Sequence, residues 1–108
     1  MLSFPPAVRI FVCTQLTDMR YGFDRLAMLA ETVLGQDPLS GHLFVFFNRR
    51  GDRRKILFWD RSGFCLYYKR LEQGVFHLPE YSANTSTLEV RAYPNNPEQR
   101  NVIVAQTK

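Results

Sequence analysis

The residues of this sequence best suited to chemistry are cations concentrated in one stretch. Residues 49–70 carry eight Lys and Arg side chains against two Asp, whereas the remainder of the 108-residue chain is slightly acidic. Guanidinium groups bind phosphate oxygens in a bidentate manner, and a focused basic patch is typical of proteins that bind nucleic acid. The predicted nucleic-acid site comprises Arg49, Arg50, Arg53, Arg54, Lys55, Lys69 and Arg70.

The densest part of this cluster, residues 49–55, has the composition of a β-hairpin tip. A two-stranded ribbon fits the major groove of B-DNA, and Lys69 and Arg70 would extend the basic surface. Contact with about four to six phosphates would give a slope near −4 to −5 in log affinity against log salt. The alternative is a solvated hairpin whose arginines serve solubility, and charge alone does not separate the two.

Four aromatic residues lie close to the basic cluster in sequence. They could stack on unpaired bases, as aromatic side chains do in proteins that bind single strands. Aromatic residues on strands are more often core residues, so we predict that these side chains pack inside the protein. The residues are Phe58, Trp59, Tyr67 and Tyr68.

The sequence offers no recognisable catalytic or metal site. It contains no glycine-rich phosphate loop, no Gly-x-Ser-x-Gly and no His-Glu-x-x-His motif. Asp18, Asp60 and His77 could form an acid–base set, but they are better explained as turn or surface residues. Cys13 and Cys65 are far apart and lack His or Cys neighbours, which predicts buried free thiols rather than a disulfide or a zinc site. We therefore expect no cofactor and no enzymatic activity.

The pattern of apolar residues predicts a single α+β domain. Apolar residues recur with a period of 3.6 over residues 23–34, which predicts one helix that ends before Gly35. An alternating stretch at residues 8–13 predicts a strand before the helix. After the helix, strand-like runs separated by turns rich in Gly and Asp predict an antiparallel meander with the helix on one face. These runs are residues 42–48, 55–60, 64–71 and 75–78.

The remaining residues have a different character. Residues 80–108 form a polar tail in which residues 87–93 and 102–106 are compatible with short strands or with loose order. The sequence has no apolar run of about 20 residues and no pattern typical of a signal peptide. We therefore expect a cytoplasmic protein.

Three motifs in the first 79 residues resemble a known family. The leading motif is Thr17-Asp18-Met19-Arg20, followed by Gly22 and the predicted helix; the second covers residues 37–46 and the third covers residues 49–76. Their order and length are similar to those of accessory proteins of the bacterial insertion-sequence-sixty-six family (TnpB-type, the product of the second open reading frame). The resemblance implies a family domain at residues 1–79, and the chain departs from the pattern after Pro79, where relatives usually have a Leu-rich end.

The resemblance also implies a biological role. Proteins of this family are small, are encoded beside a DDE transposase and support DNA transposition, and no catalytic residues are associated with them. The expected partners are therefore DNA and the transposase. Our leading hypothesis is a non-catalytic factor that binds DNA through the basic hairpin. The alternative is an adaptor that docks on the transposase without contacting DNA, and a small hydrolase or nuclease is the least favoured reading.

Within the leading motif, two roles are open for the charged residues. In the structural role, Asp18 caps the turn before the helix and Arg20 pairs with Asp18 or Asp24. In the functional role, Arg20 joins the hairpin cations on one binding face. The structural role is favoured because a turn explains Asp18 without a partner molecule.

Overall fold

Residues 8–90 form a five-stranded mixed β-sheet with one α-helix packed on one face, which confirms the predicted α+β class. The computed structural model describes residues 8–90. The elements in chain order are β1 (Ile10–Cys13), α1 (Phe23–Thr32), β2 (Leu43–Phe47), β3 (Arg53–Trp59), β4 (Phe64–Arg70) and β5 (Thr87–Val90). Across the sheet the strands lie in the order β4-β3-β2-β1-β5.

The connections between strands follow from their directions. Strand β1 pairs parallel with β2, and α1 provides the crossover that two parallel neighbours require. Strands β2, β3 and β4 pair antiparallel in chain order, which is the predicted meander. Strand β5 pairs antiparallel with β1, so part of residues 87–93 forms a strand at the second edge of the sheet. Residues 102–106 lie outside the described residues, and the domain boundary at residue 79 stays a prediction.

The helix face of the sheet carries one hydrophobic core. Because side chains alternate along a strand, every second residue of β1, β2 and β3 points toward α1. These residues pack against Leu26 and Ala30, which repeat along one side of the helix. The strand residues of this core are Phe11, Cys13, Phe44, Phe46 and Leu57.

The opposite face of the sheet carries a second core. Ile10, Val12, Val45, Phe47 and Ile56 pack there, and Phe76 covers them. Both faces of the central strands are therefore occupied, so all four residues of β1 are buried despite the alternation in its sequence.

The prediction of a strand at residues 75–78 is wrong. Within residues 8–90 this stretch makes no strand pairing; it lies over the second core instead. The Phe76 and Phe47 ring centroids are 5.3 Å apart. The α1 helix covers only one face of the sheet, and an apolar run placed on the other face buries more apolar surface than another edge strand would.

The helix is two residues shorter than predicted. It ends at Thr32, and Val33 is its C-cap. Gly35 adopts a φ of +66°, and the backbone N–H of Gln36 donates to the Ala30 carbonyl. Gly35 therefore helps to end the helix, as the sequence predicts, but the last helical residue lies three positions before it.

We predict that Phe76→Ala lowers the free energy of unfolding by about 3 kcal/mol, because it removes a large side chain from the second core and leaves a cavity. Urea denaturation measures this loss. The exposed neighbour His77 is the control, and His77→Ala should change stability by less than about 0.5 kcal/mol. Equal stability of the two variants would contradict the packing role of residues 71–78.

Candidate nucleic-acid interface

The turn between β2 and β3 is closed by the side chain of Asn48. Its Oδ1 accepts from the backbone N–H of Arg53 at 3.0 Å, and its Nδ2 donates to Asp52 Oδ1 at 2.8 Å. Gly51 has a φ of +77°, a conformation that residues with a Cβ rarely adopt. These features reverse the chain within a few residues and leave Arg49 and Arg50 exposed at its outer end.

Residues 71–78 also hold this turn. The backbone N–H of Leu71 donates to the Asp52 carbonyl, and that of Phe76 donates to the Gly51 carbonyl, both at 2.8 Å. The turn is thus anchored on the side of the second core. It does not protrude from the protein as an isolated ribbon, because neighbouring chain flanks it.

The leading motif lies beside the same turn. The backbone N–H of Thr17, a buried residue, donates to the Phe47 carbonyl at 2.8 Å. This contact places residues 16–19 along one side of the turn and creates a cleft of about 490 Å³. The cleft is lined by Leu16, Thr17, Asp18, Met19, Asn48, Arg49, Arg50 and Arg53. The leading motif and the basic turn therefore line one depression.

Within the motif, Asp18 and Arg20 form the local pair that the structural role predicts. Asp18 Oδ1 accepts from the Arg20 backbone N–H at 2.8 Å, and Arg20 Nη2 lies 2.7 Å from Asp18 Oδ2. The hydrogen bonds from Arg20 lower the pKa of the Asp18 carboxyl to about 2. Arg20 itself is exposed at the edge of the motif, so pairing with Asp18 does not remove it from the surface.

The other cations are divided between the two faces of the β3–β4 hairpin. Arg53 lies directly opposite Arg70, on the helix face, and Arg54 lies opposite Lys69, on the second face. Arg53 donates to the Tyr68 hydroxyl at 2.9 Å, and Arg70 pairs with the exposed Glu72 at 3.3 Å. The helix face thus carries two accessible guanidinium groups next to the turn.

Arg54 and Lys55 are buried, unlike the exposed tip that the sequence suggests. The Arg54 guanidinium lies 5.1 Å from the centre of the Phe76 ring, and burial lowers its pKa to about 10. Lys55 Nζ donates to the Tyr21 carbonyl at 2.8 Å. Because β3 is an inner strand, its side chains lie beneath the elements that cover the sheet. Lys69 is half-buried.

The prediction that the aromatic residues belong to the core is wrong for the two tyrosines. Tyr67 is 62% exposed and Tyr68 is 51% exposed, whereas Phe58 and Trp59 are half-buried. Both tyrosines lie on β4, an edge strand that the covering elements reach only in part. Strand period alone could not show this, because it does not tell an inner strand from an edge strand.

The structure does not bring the three catalytic candidates together. Asp18 lies beside the β2–β3 turn, and Asp60 closes the β3–β4 turn at the other end of β3 by accepting from the Ser62 and Gly63 backbone amides. His77 is exposed in the segment over the second core.

Among residues 8–90, no three or more His, Cys, Asp or Glu side chains form a group suited to a metal ion. No helix in this part of the chain is long and apolar enough to cross a membrane.

We predict that the Asp18 carboxyl titrates near pH 2, and that Arg20→Gln moves this titration upward toward pH 3.8. Since the folded pKa lies below the ordinary value, the Asp18–Arg20 pair stabilises the protein above about pH 4, and this contribution disappears as the pH falls toward 2. Side-chain carboxyl chemical shifts from NMR provide the measurement. An unchanged Asp18 titration in the variant would show that Arg20 does not cause the shift.

Comparison with known proteins identifies the family. A family model described as "IS66 Orf2 like protein" matches residues 8–95. Two proteins of Sinorhizobium fredii, named uncharacterized proteins y4hO and y4jC, are 44% and 40% identical over 79 residues, which is 73% of this chain and 69% and 68% of theirs. No solved structure matches significantly. The chain therefore belongs to the IS66 Orf2-like family, whose members are accessory proteins of transposition rather than known enzymes.

Proposed function

We propose that this protein serves transposition by binding DNA through a basic trough on the helix face of its sheet. The trough is defined by Arg49, Arg50, Arg53 and Arg70. Family membership supplies the accessory role, and the position of these four side chains supports a polyanionic ligand. The proposed surface omits Arg54 and Lys55, because buried cations cannot reach a phosphate backbone.

The observation that carries this proposal is the register of the β3–β4 hairpin. Arg53 and Arg70 face each other directly on the helix face, next to the turn that carries Arg49 and Arg50. Like charges placed directly opposite each other destabilise a sheet. A polyanion bound beside Arg49 and Arg50 would offset the repulsion between Arg53 and Arg70, so this register supports the proposal.

Arg53 connects the two depressions that make up the trough. It lines the cleft shared with the leading motif, and it also lines a smaller pocket of about 270 Å³ formed with Tyr68, Arg70 and Glu72. A chain of phosphates laid along both depressions would meet the four arginines in turn. About four phosphate contacts would give a slope near −3 to −4 in log affinity against log salt.

We predict that Arg50→Ala weakens DNA binding several-fold at low salt and reduces the salt slope by about one, since it removes one phosphate contact. Arg61→Ala is the matched control, because it removes one charge from the exposed turn at the opposite end of β3. Fluorescence anisotropy with a labelled oligonucleotide measures both quantities. Equal weakening by the two variants would indicate a response to net charge alone and contradict the assigned surface.

One observation favours a second candidate function, an adaptor for the transposase. Among the described residues, β4 pairs only with β3, so the other edge of this seven-residue strand presents free backbone groups. A partner strand can add to such an edge. An adaptor that does not contact DNA would capture a DDE transposase. It would do so equally well with Arg49→Ala/Arg50→Ala, and it would retain no DNA.

A further inference from the structure

We infer that the DNA bound in the trough is an unpaired strand, one base of which stacks on Tyr68. This inference rests on the proposed function and adds the class of substrate. A base offers its face to an aromatic ring only when it is released from the double helix, so a stacking site selects single strands. The inference depends on the surroundings of Tyr68 and on the shape of the neighbouring turn.

Tyr68 is held in place although half of its surface is accessible. Its hydroxyl accepts a hydrogen bond from Arg53 at 2.9 Å. Lys55 Nζ lies 4.8 Å from the ring centre, and the Tyr21 carbonyl fixes that ammonium group from the other side. The buried lysine thus covers one side of the ring, and the ring does not have to become ordered when a base binds. Preorganisation of this kind lowers the entropic cost of binding.

Cations flank the tyrosine on its own face of the sheet. In the β3–β4 register, Tyr68 lies opposite Lys55, and the next residues on the same face are the opposed Arg53 and Arg70. These two arginines, Tyr68 and Glu72 line one pocket. Glu72 is exposed and its pair with Arg70 is 3.3 Å long, so a phosphate can replace it as the partner of Arg70. An aromatic ring beside a row of cations is the common arrangement in proteins that bind single strands without sequence preference.

The shape of the turn argues against the major groove of a duplex. The groove is about 12 Å wide and admits a two-stranded ribbon that stands clear of its protein. Here the β2–β3 turn is bordered by residues 16–19 on one side and is hydrogen-bonded to Leu71 and Phe76 on the other. The cations consequently line depressions, which a flexible single strand can follow more closely than a stiff duplex can.

The test compares a labelled 20-nucleotide single strand with its duplex, by fluorescence anisotropy on the full chain at low salt. We expect the wild-type protein to bind the single strand at least 10-fold more tightly. Tyr68→Ala should lower affinity for the single strand by about 5- to 100-fold and leave duplex affinity within 3-fold. Tyr68→Phe should retain binding, because the ring rather than the hydroxyl receives the base.

Two further variants make the result specific to the ring. Tyr68→Leu keeps an apolar side chain on the strand, so it tests the ring even if the alanine variant folds poorly. Because leucine has no aromatic face, this variant should weaken binding as the alanine variant does. Tyr67→Ala, at a tyrosine that is also exposed but lies on the opposite face, should bind like wild type. Circular dichroism confirms that each variant is folded.

The outcomes separate this inference from the proposed function. Equal or tighter binding of the duplex would overturn the stacking site, and so would equal effects of Tyr67→Ala and Tyr68→Leu. In either case, DNA binding that still depends on the arginines would leave the proposed function standing. Failure to bind either polynucleotide at low salt would overturn both.

Discussion

The docking of residues 71–78 on the sheet face opposite the helix is the interaction on which the rest of this structure depends. Phe76 closes the second hydrophobic core, and the ring also receives the Arg54 guanidinium. The backbone amides of Leu71 and Phe76 anchor the carbonyls of the β2–β3 turn. One short segment therefore buries apolar surface and also holds the turn that carries Arg49 and Arg50.

The register of the β3–β4 hairpin links stability to the proposed binding surface. Leu66 of β4 lies opposite Leu57 and packs against the helix-face core, so a shift of β4 by one residue would turn Leu66 to the other face of the sheet. The register that packs Leu66 in this core also places Arg53 opposite Arg70. Local partners, the Tyr68 hydroxyl and Glu72, offset the repulsion only in part, because exposed ion pairs contribute little. The concentration of charge is thus a consequence of core packing that a polyanion would relieve.

Local signals in the sequence predicted the elements well and their surroundings less well. The 3.6-residue period identified α1, and the Gly and Asp residues of the two tight turns identified the meander, because both signals act over a few neighbouring residues. Residues 75–78 were mistaken for a strand because an apolar run of this length packs equally well as a cover over a sheet. The basic cluster predicted a candidate site, but only the pairing of the strands shows which of its cations are exposed and which are buried.

The order of residue types along the chain was enough to establish the α+β class, the family motifs and the location of the excess positive charge, since each depends on composition or short-range spacing. Long-range pairing settled the remainder. Placing β3 inside the sheet buried Arg54 and Lys55, and placing β4 at its edge exposed Tyr67 and Tyr68. The contact between Thr17 and Phe47 brought the leading motif to the basic turn. Burial and neighbourhood depend on contacts between residues distant in sequence, and no local pattern contains them.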